Sequence, residues 1–405
     1  MSVGSAPMPP LDWTTWNERF ARRLPAMLED LSWLVGRESP SLDKPRLDAV
    51  ARDLADRCRR LGARVELVAN PRGGDHLKAV FFENLAGRSN TPPSPILVLG
   101  HFDTVWPVGI LERMPIRLDQ KADTFAGPGA LDMKAGIVIV LHALEELGRF
   151  GLAPSRPVTL LLTSDEEIGS PTSRNLIETE ARHSAYALVV EPSLANGGLK
   201  TARKGVGRFR LDVQGKAAHA GIAPEKGVSA TLELAYQLVR IGQLGDPEAG
   251  TTLNIGRIQG GGATNVVAET AWAELDVRVV TLAEQARIER ELNGLRAVLN
   301  GARLTLSGGF NRPPMERTAA IGGLFQHARD LAARLGFELV EGATGGGSDA
   351  NFTAALGVPT LDGLGARGDG AHASHEHIRI SSLPERAALL AALIVTDPPS
   401  LGPLA

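Results

Sequence analysis

Three short, largely apolar runs in this chain lead directly into residues that hold protons or cations. Ile96-Leu97-Val98-Leu99 is followed by His101-Phe102-Asp103, Val158-Thr159-Leu160-Leu161-Leu162 by Ser164-Asp165-Glu166-Glu167, and Ala187-Leu188-Val189-Val190 by Glu191-Pro192. Apolar runs of this length, bounded by polar residues, read as buried strands. Helical spacing over residues 47–61 and 134–150 makes the first half an alternation of strand and helix, and open α/β sheets place their ligand sites at the carboxyl ends of strands. Adjacent carboxylates at the end of a buried strand call for a cation, because unpaired buried charge is costly.

Two more segments supply matching groups: Asp132 in Gly129-Ala130-Leu131-Asp132-Met133-Lys134, and His372 in Gly370-Ala371-His372-Ala373-Ser374-His375-Glu376. Zinc accepts imidazole nitrogen and carboxylate oxygen, and an open coordination position lowers the pKa of a bound water to about 7. Two such ions about 3.5–4 Å apart need roughly five ligand side chains with one carboxylate shared. The chain offers two histidines and three acids for this, and one acid, Glu166, is left over to move a proton. Asp132 has a second reading as the N-cap of the helix that follows, worth about 1 kcal/mol. His375 and His377 compete with His372 for the ligand position.

Between residues 204 and 311 the rhythm changes to strand 208–214, helix 229–241, strand 252–259, strand 271–279, helix 282–298 and strand 303–307. This is the β-α-β-β-α-β order of a ferredoxin-like sandwich. Strand 271–279 alternates, with Ala273, Leu275, Val277 and Val279 on one face and Trp272, Glu274, Asp276 and Arg278 on the other. No metal-ligand candidate lies in this stretch, while such candidates occur on both sides of it. The expected division is therefore a catalytic domain in two parts, 1–203 and 312–405, interrupted by an inserted domain at 204–311.

The ordered motifs G-H-x-D-T-V, G-x-x-D-M-K-x-G, S-D-E-E-x-G-S, E-P and G-x-H-x-x-x-E resemble the dinuclear zinc aminoacylase/carboxypeptidase metallopeptidases, and most closely their glutamate carboxypeptidase branch. The resemblance spans roughly residues 20–395. It implies an α/β zinc-dependent exopeptidase-like catalytic domain with an inserted ferredoxin-like α+β dimerisation, or lid, domain. It also implies two Zn2+ per chain, with Co2+ as a substitute: His101 and Glu191 on one ion, Glu167 and His372 on the other, and Asp132 bridging. Glu166 takes the general-base position and Asp103 orients the imidazole of His101. A cis peptide is expected between Asp132 and Met133.

Within the insert, His219 in Gly215-Lys216-Ala217-Ala218-His219-Ala220-Gly221 resembles the family histidine that reaches a partner subunit's site and holds the scissile carbonyl oxygen. Asn265 and Arg278 match the family's binders of the substrate carboxylate, and Arg312 is a weaker candidate. Gly346, in Gly345-Gly346-Gly347-Ser348-Asp349, lies in what resembles a glycine-rich substrate-cleft loop. This stretch lacks the Lys-Ser/Thr that a nucleotide-binding loop requires. The implied activity is hydrolysis of the amide bond before a C-terminal amino acid of an N-acyl or short peptidyl substrate, with glutamate or aspartate first, in a homodimer built through the insert. Two alternatives stand beside it. One is an aminoacylase or dipeptidase with neutral substrates. The other is a non-catalytic binding protein of the same fold, against which the intact Glu166 argues. The segment 191–204 departs from the glutamate carboxypeptidase pattern at Lys200 and at the basic pair Arg203-Lys204, which weakens the case for glutamate.

A formal net charge of −3 with no long basic run gives no electrostatic reason to bind nucleic acid or an anionic membrane. Cys58 is the only cysteine, so neither an intrachain disulfide nor a thiolate metal site can form. No basic segment precedes an apolar stretch at the N-terminus, and no run of about 18 apolar residues occurs, so a cytoplasmic location is expected.

Overall fold

The computed structural model describes residues 12–83 and 93–399. It divides into two compact units. The first comprises the described parts of Met1–Thr201, Thr318–Gly342 and Leu356–Ala405, and the second Ala202–Arg317 with Ala343–Ala355.

The core of the first unit is a six-stranded sheet in the order Arg64–Val68, His76–Phe81, Val158–Thr163, Ile96–His101, Tyr186–Val189, Thr360–Leu361. The first two pairings are antiparallel and the remaining three are parallel. Ile96–His101, Val158–Thr163 and Tyr186–Val189 are buried along their whole length, which explains why the sequence shows continuous apolar runs there instead of alternation. Because these strands are parallel, His101, the acids after Thr163 and Glu191 all emerge at the same edge. Helices Lys44–Arg60, Ala135–Arg149 and Ser382–Val395 bury apolar side chains in the same core. Lys44–Arg60 begins where Asp43 caps the N–H of Arg46 and Pro45 occupies the first turn, so the helix starts three residues earlier than its apolar spacing alone suggests.

A small antiparallel sheet, in the order Gly368–Asp369, His377–Arg379, Thr124–Ala126, Arg117–Asp119, has no counterpart in the sequence reading. Its strands are only two or three residues long and carry no resolvable period. It matters nonetheless, because it fixes both the segment that carries Asp132 and the turn that carries His372.

In the second unit, four antiparallel strands run in the order Thr252–Gly260, Thr270–Val279, Gly205–Gln214, Arg303–Arg312. Together with helices Ala230–Gly242 and Leu282–Asn293 they form the expected ferredoxin-like arrangement. Ala271, Ala273, Leu275, Val277 and Val279 are buried on one face and join the core formed with the two helices. The second helix stops at Asn293, short of the expected 298. The buried carboxylate of Glu233 accepts the N–H groups of Val298 (3.0 Å) and Leu299 (2.7 Å), drawing that segment out of helical geometry. Among the described residues, no helix is long and apolar enough to cross a membrane.

Candidate metal centre

His101 ends its strand fully buried, with Nδ1 lying 3.1 Å from the carbonyl oxygen of Asp103 and 3.3 Å from Asp103 Oδ1. An Nδ1–H donating to Asp103 leaves the lone pair of a neutral ring on Nε2. That Nε2 stands 3.3 Å from Asp132 Oδ1 and 3.7 Å from Glu191 Oε1. His372 Nε2 lies 3.2 Å from Asp132 Oδ2 and 3.1 Å from Glu167 Oε2. Asp132 thus offers one oxygen to each histidine. It does not cap the helix that follows, where Lys134 occupies the cap position without a side-chain bond. The Asp132-Met133 peptide is cis. Among the described residues neither His375 nor His377 pairs with the acids of this set, and the Nδ1–H of His377 donates to the His375 carbonyl at 2.9 Å.

A metal would satisfy buried groups that have no hydrogen-bond partner among the described residues. His101 Nε2, Asp132 Oδ1 and Glu167 Oε1 are buried, and none has a hydrogen-bond partner among the described groups. Donor atoms of His101, Asp132 and Glu167 lie within 4.8 Å of one another, as do those of His101, Glu166 and Glu191. Buried polar atoms normally find partners, so convergent orphans of this kind fit cation ligation. His101, Asp132, Glu167, Glu191 and His372 would hold the ions.

The surrounding charges agree with this. Burial opposes protonation of His101, but the carboxylates of Asp103 and Asp132 outweigh it and hold the ring well above its usual range. Asp132 and Glu167 raise His372 to about 10. Burial would raise Asp132, yet the two histidines hold it well below the carboxylate range. Glu167 is raised by burial and by the nearby charge of Asp132, although its bond to His372 works the other way. Protons here occupy places that cations would take.

Several supports were not legible as single motifs. The oxygens of Asp103 accept the backbone N–H groups of Glu166 and Glu167, each at 3.2 Å, and Ser41 Oγ donates to the same carboxylate at 2.7 Å. Asp165 binds Thr172 N (2.7 Å) and Ser173 Oγ (2.6 Å), pinning the far side of the acidic loop. The buried Glu376 accepts N–H groups from Gly129 and Leu131 at 2.9 Å and Asp132 at 3.1 Å, and the indole N–H of Trp106 at 2.9 Å. Burial still pushes its carboxyl up. Lys134 is buried with its Nζ donating to the Arg37 carbonyl at 2.7 Å, and burial lowers it to about 7 against the pull of Glu376 and Glu38. Asp103, Lys134, Asp165 and Glu376 lie within the motifs, but their hydrogen-bond partners Ser41, Arg37, Thr172 and Trp106 carry no motif signal.

The remaining candidates all lie in the second unit. His219 is exposed, and its Nδ1 accepts the N–H groups of Gly221 and Ile222 at 3.2 Å, which places the ring proton on Nε2. Asn265 is exposed, and its carbonyl accepts the N–H of Ala220 at 2.9 Å, so its loop runs beside that of His219. Arg278 holds Asp276 through Nε (2.7 Å) and Nη2 (3.0 Å). Arg312 is buried and donates to Asp349 at 2.8 Å. The Gly346 carbonyl accepts Arg203 Nη1 at 2.9 Å. Gly346 itself has room for a Cβ, whereas one on Gly347 would sit 2.7 Å from Arg312 Cδ. The glycine requirement in this loop therefore falls on Gly347.

Residues 97–396 match the model of peptidase family M20/M25/M40. The chain is 30% identical over 386 residues to carboxypeptidase G2 of Pseudomonas sp. (strain RS-16), covering 92% of this chain and 89% of that protein. Among the solved structures that share its fold are two from Bacillus species. One is aminopeptidase PepT of Bacillus cereus, with a TM-score of 0.71, 22% identity and coverage of 92% and 98% of the two chains. The other is the YXEP protein of Bacillus subtilis, described as a dinuclear metal-binding peptidase of the M20 family, with a TM-score of 0.67, 16% identity and coverage of 94% and 98%. The chain belongs to peptidase family M20/M25/M40, as its motifs led us to expect, and is a metallopeptidase-type hydrolase.

Proposed function

We propose that this M20/M25/M40-family chain is a two-zinc hydrolase that cleaves the amide bond before a C-terminal amino acid, glutamate or aspartate first, of an N-acyl or short peptidyl substrate. The observation that carries it is the convergence of His101 Nε2, Asp132 Oδ1 and Glu167 Oε1 as buried atoms with no hydrogen-bond partner among the described residues. Bound zinc would polarise the scissile carbonyl and lower the pKa of water. Glu166, whose backbone N–H is anchored by Asp103, is the acid placed to accept a proton from the attacking water and return it to the leaving amine. Asp103 keeps the His101 ring in the tautomer that leaves Nε2 available.

A homodimer through the insert, with His219 of one subunit serving the other subunit's metal site, belongs to the same proposal. Two features support it. Leu232, Tyr236 and Val239 form an exposed stripe on helix Ala230–Gly242, and Ile258 is exposed on the edge strand Thr252–Gly260. The Nε2–H of His219 is a donor suited to a developing oxyanion.

The neutral-substrate alternative differs from this reading only in the side chain of the C-terminal residue, since both substrate classes carry an α-carboxylate. Both arginines expected to bind a substrate carboxylate, Arg278 and Arg312, already hold one from the protein, Asp276 and Asp349 respectively. A panel of N-acyl amino acids with acidic and neutral C-terminal residues decides between the two. Higher kcat/KM on the glutamate and aspartate members supports the first reading, and a preference for neutral members supports the second.

A further inference from the structure

A pocket of about 410 Å³ in the first unit contains none of the proposed metal ligands. Arg113 and Arg117 line it on one side, with Met114 between them in the chain, and His375, Glu376 and His377 line it on the other. Both arginines are exposed, and among the described residues neither guanidinium forms an ion pair or a hydrogen bond. This sets them apart from the arginines of the second unit's sheet, where Arg210 and Arg278 are tied to Asp212 and Asp276.

The acids nearby do not neutralise the pocket. Glu376 is the only carboxylate in the lining, and its oxygens already accept three backbone N–H groups and the indole of Trp106. Asp119 accepts the N–H groups of Lys121 and Ala122 within its own turn. Glu112 neighbours Arg113 in the chain but does not line the pocket. Two unpaired planar guanidiniums and two imidazoles around one cavity match the geometry of a carboxylate or phosphate-type oxyanion, which guanidinium forks bind through paired hydrogen bonds.

We propose that the pocket between Arg113/Arg117 and His375/His377 is a binding site for a small oxyanionic group. Ser374 and His375 of its lining belong to the turn that carries His372, and Glu376 of its lining accepts the backbone N–H of Asp132, so an occupant lies next to the supports of the metal centre without touching its ligands. The group has two sources: an anionic end on the acyl part of the substrate, or a free anion.

The test uses metal-loaded protein and the Arg113→Gln/Arg117→Gln double variant. Calorimetric titration with sulfate should show binding to wild type that weakens about tenfold or more in the variant, as expected for lost charge-assisted bonds. In parallel, kcat/KM is compared for the N-succinyl and N-acetyl forms of one amino acid. This second arm rests on the proposed hydrolase activity, and the sulfate arm does not. Lost sulfate binding with a lost preference for the succinyl form assigns the pocket to the substrate's anionic end. Lost sulfate binding with an unchanged ratio assigns it to a free anion. A double variant that alters neither sulfate binding nor the ratio overturns the proposal. The single variants, each expected to give part of the effect, keep the test decisive if the double variant misfolds.

Discussion

Glu376 Oε1 accepts the backbone N–H of Asp132 at 3.1 Å, linking a buried acid from the end of the chain to the residue that faces both histidines. The same carboxylate binds Gly129, Leu131 and Trp106, so Glu376 fixes the whole segment on which Asp132 sits. Glu376→Gln turns an amide NH2 toward N–H donors and leaves some of them without an acceptor. Its metal affinity, measured by titration against a chelator, should fall about 10–100-fold, the range for lost partners of metal ligands. Unchanged affinity would show that the Asp132 segment holds its shape without this acid.

Glu166 stands beside the proposed ligand Glu167 but lies in the cluster with His101 and Glu191. Glu166→Gln should keep its metal content and lose at least about 10²-fold in kcat, the scale of general acid–base catalysis. Turnover close to wild type would remove this residue from proton transfer.

In the metal-free protein, His372 is raised to about 10 by Asp132 and Glu167. A histidine raised on folding contributes stability that is complete below its unfolded pKa, about 6.5, and is lost as pH rises through the folded value. In chelator, the difference in Tm between wild type and His372→Asn should therefore shrink from pH 6.5 to pH 10. Metal binding runs in the opposite sense, since it requires the histidines to be deprotonated. A Tm difference that stays constant or grows over this window would mean that His372 does not pair with the two carboxylates.

His219→Ala should lower mainly kcat and Arg278→Ala mainly raise KM, since one is proposed to contact the reacting carbonyl and the other a remote carboxylate. Mixed dimers of the two inactive variants should recover part of the activity after subunit exchange, because one of the two sites then regains both groups. No recovery in confirmed heterodimers would show that His219 does not act across subunits.

The parts of the fold legible in the sequence were those with long or continuous patterns. The three buried parallel strands announced themselves because both faces are apolar, and Thr270–Val279 because one face is. The strands Gly368–Asp369 and His377–Arg379 were not legible, since two or three residues carry no period. Helix Leu282–Asn293 ended early because Glu233, about sixty residues earlier in the chain, captures Val298 and Leu299. In the site, His101, Asp132, Glu167 and His372 could be picked out by residue type and by resemblance. The double use of Asp103 and the reach of Glu376 to Asp132 could not, because hydrogen bonds between distant segments leave no local trace.

Elemental analysis of purified protein, paired with activity, tests the metal centre most directly. Close to two zinc equivalents per chain are expected, with activity abolished by chelation and restored by zinc or cobalt. Protein freed of metal that keeps full activity would contradict the two-metal centre formed by His101, Asp132, Glu167, Glu191 and His372.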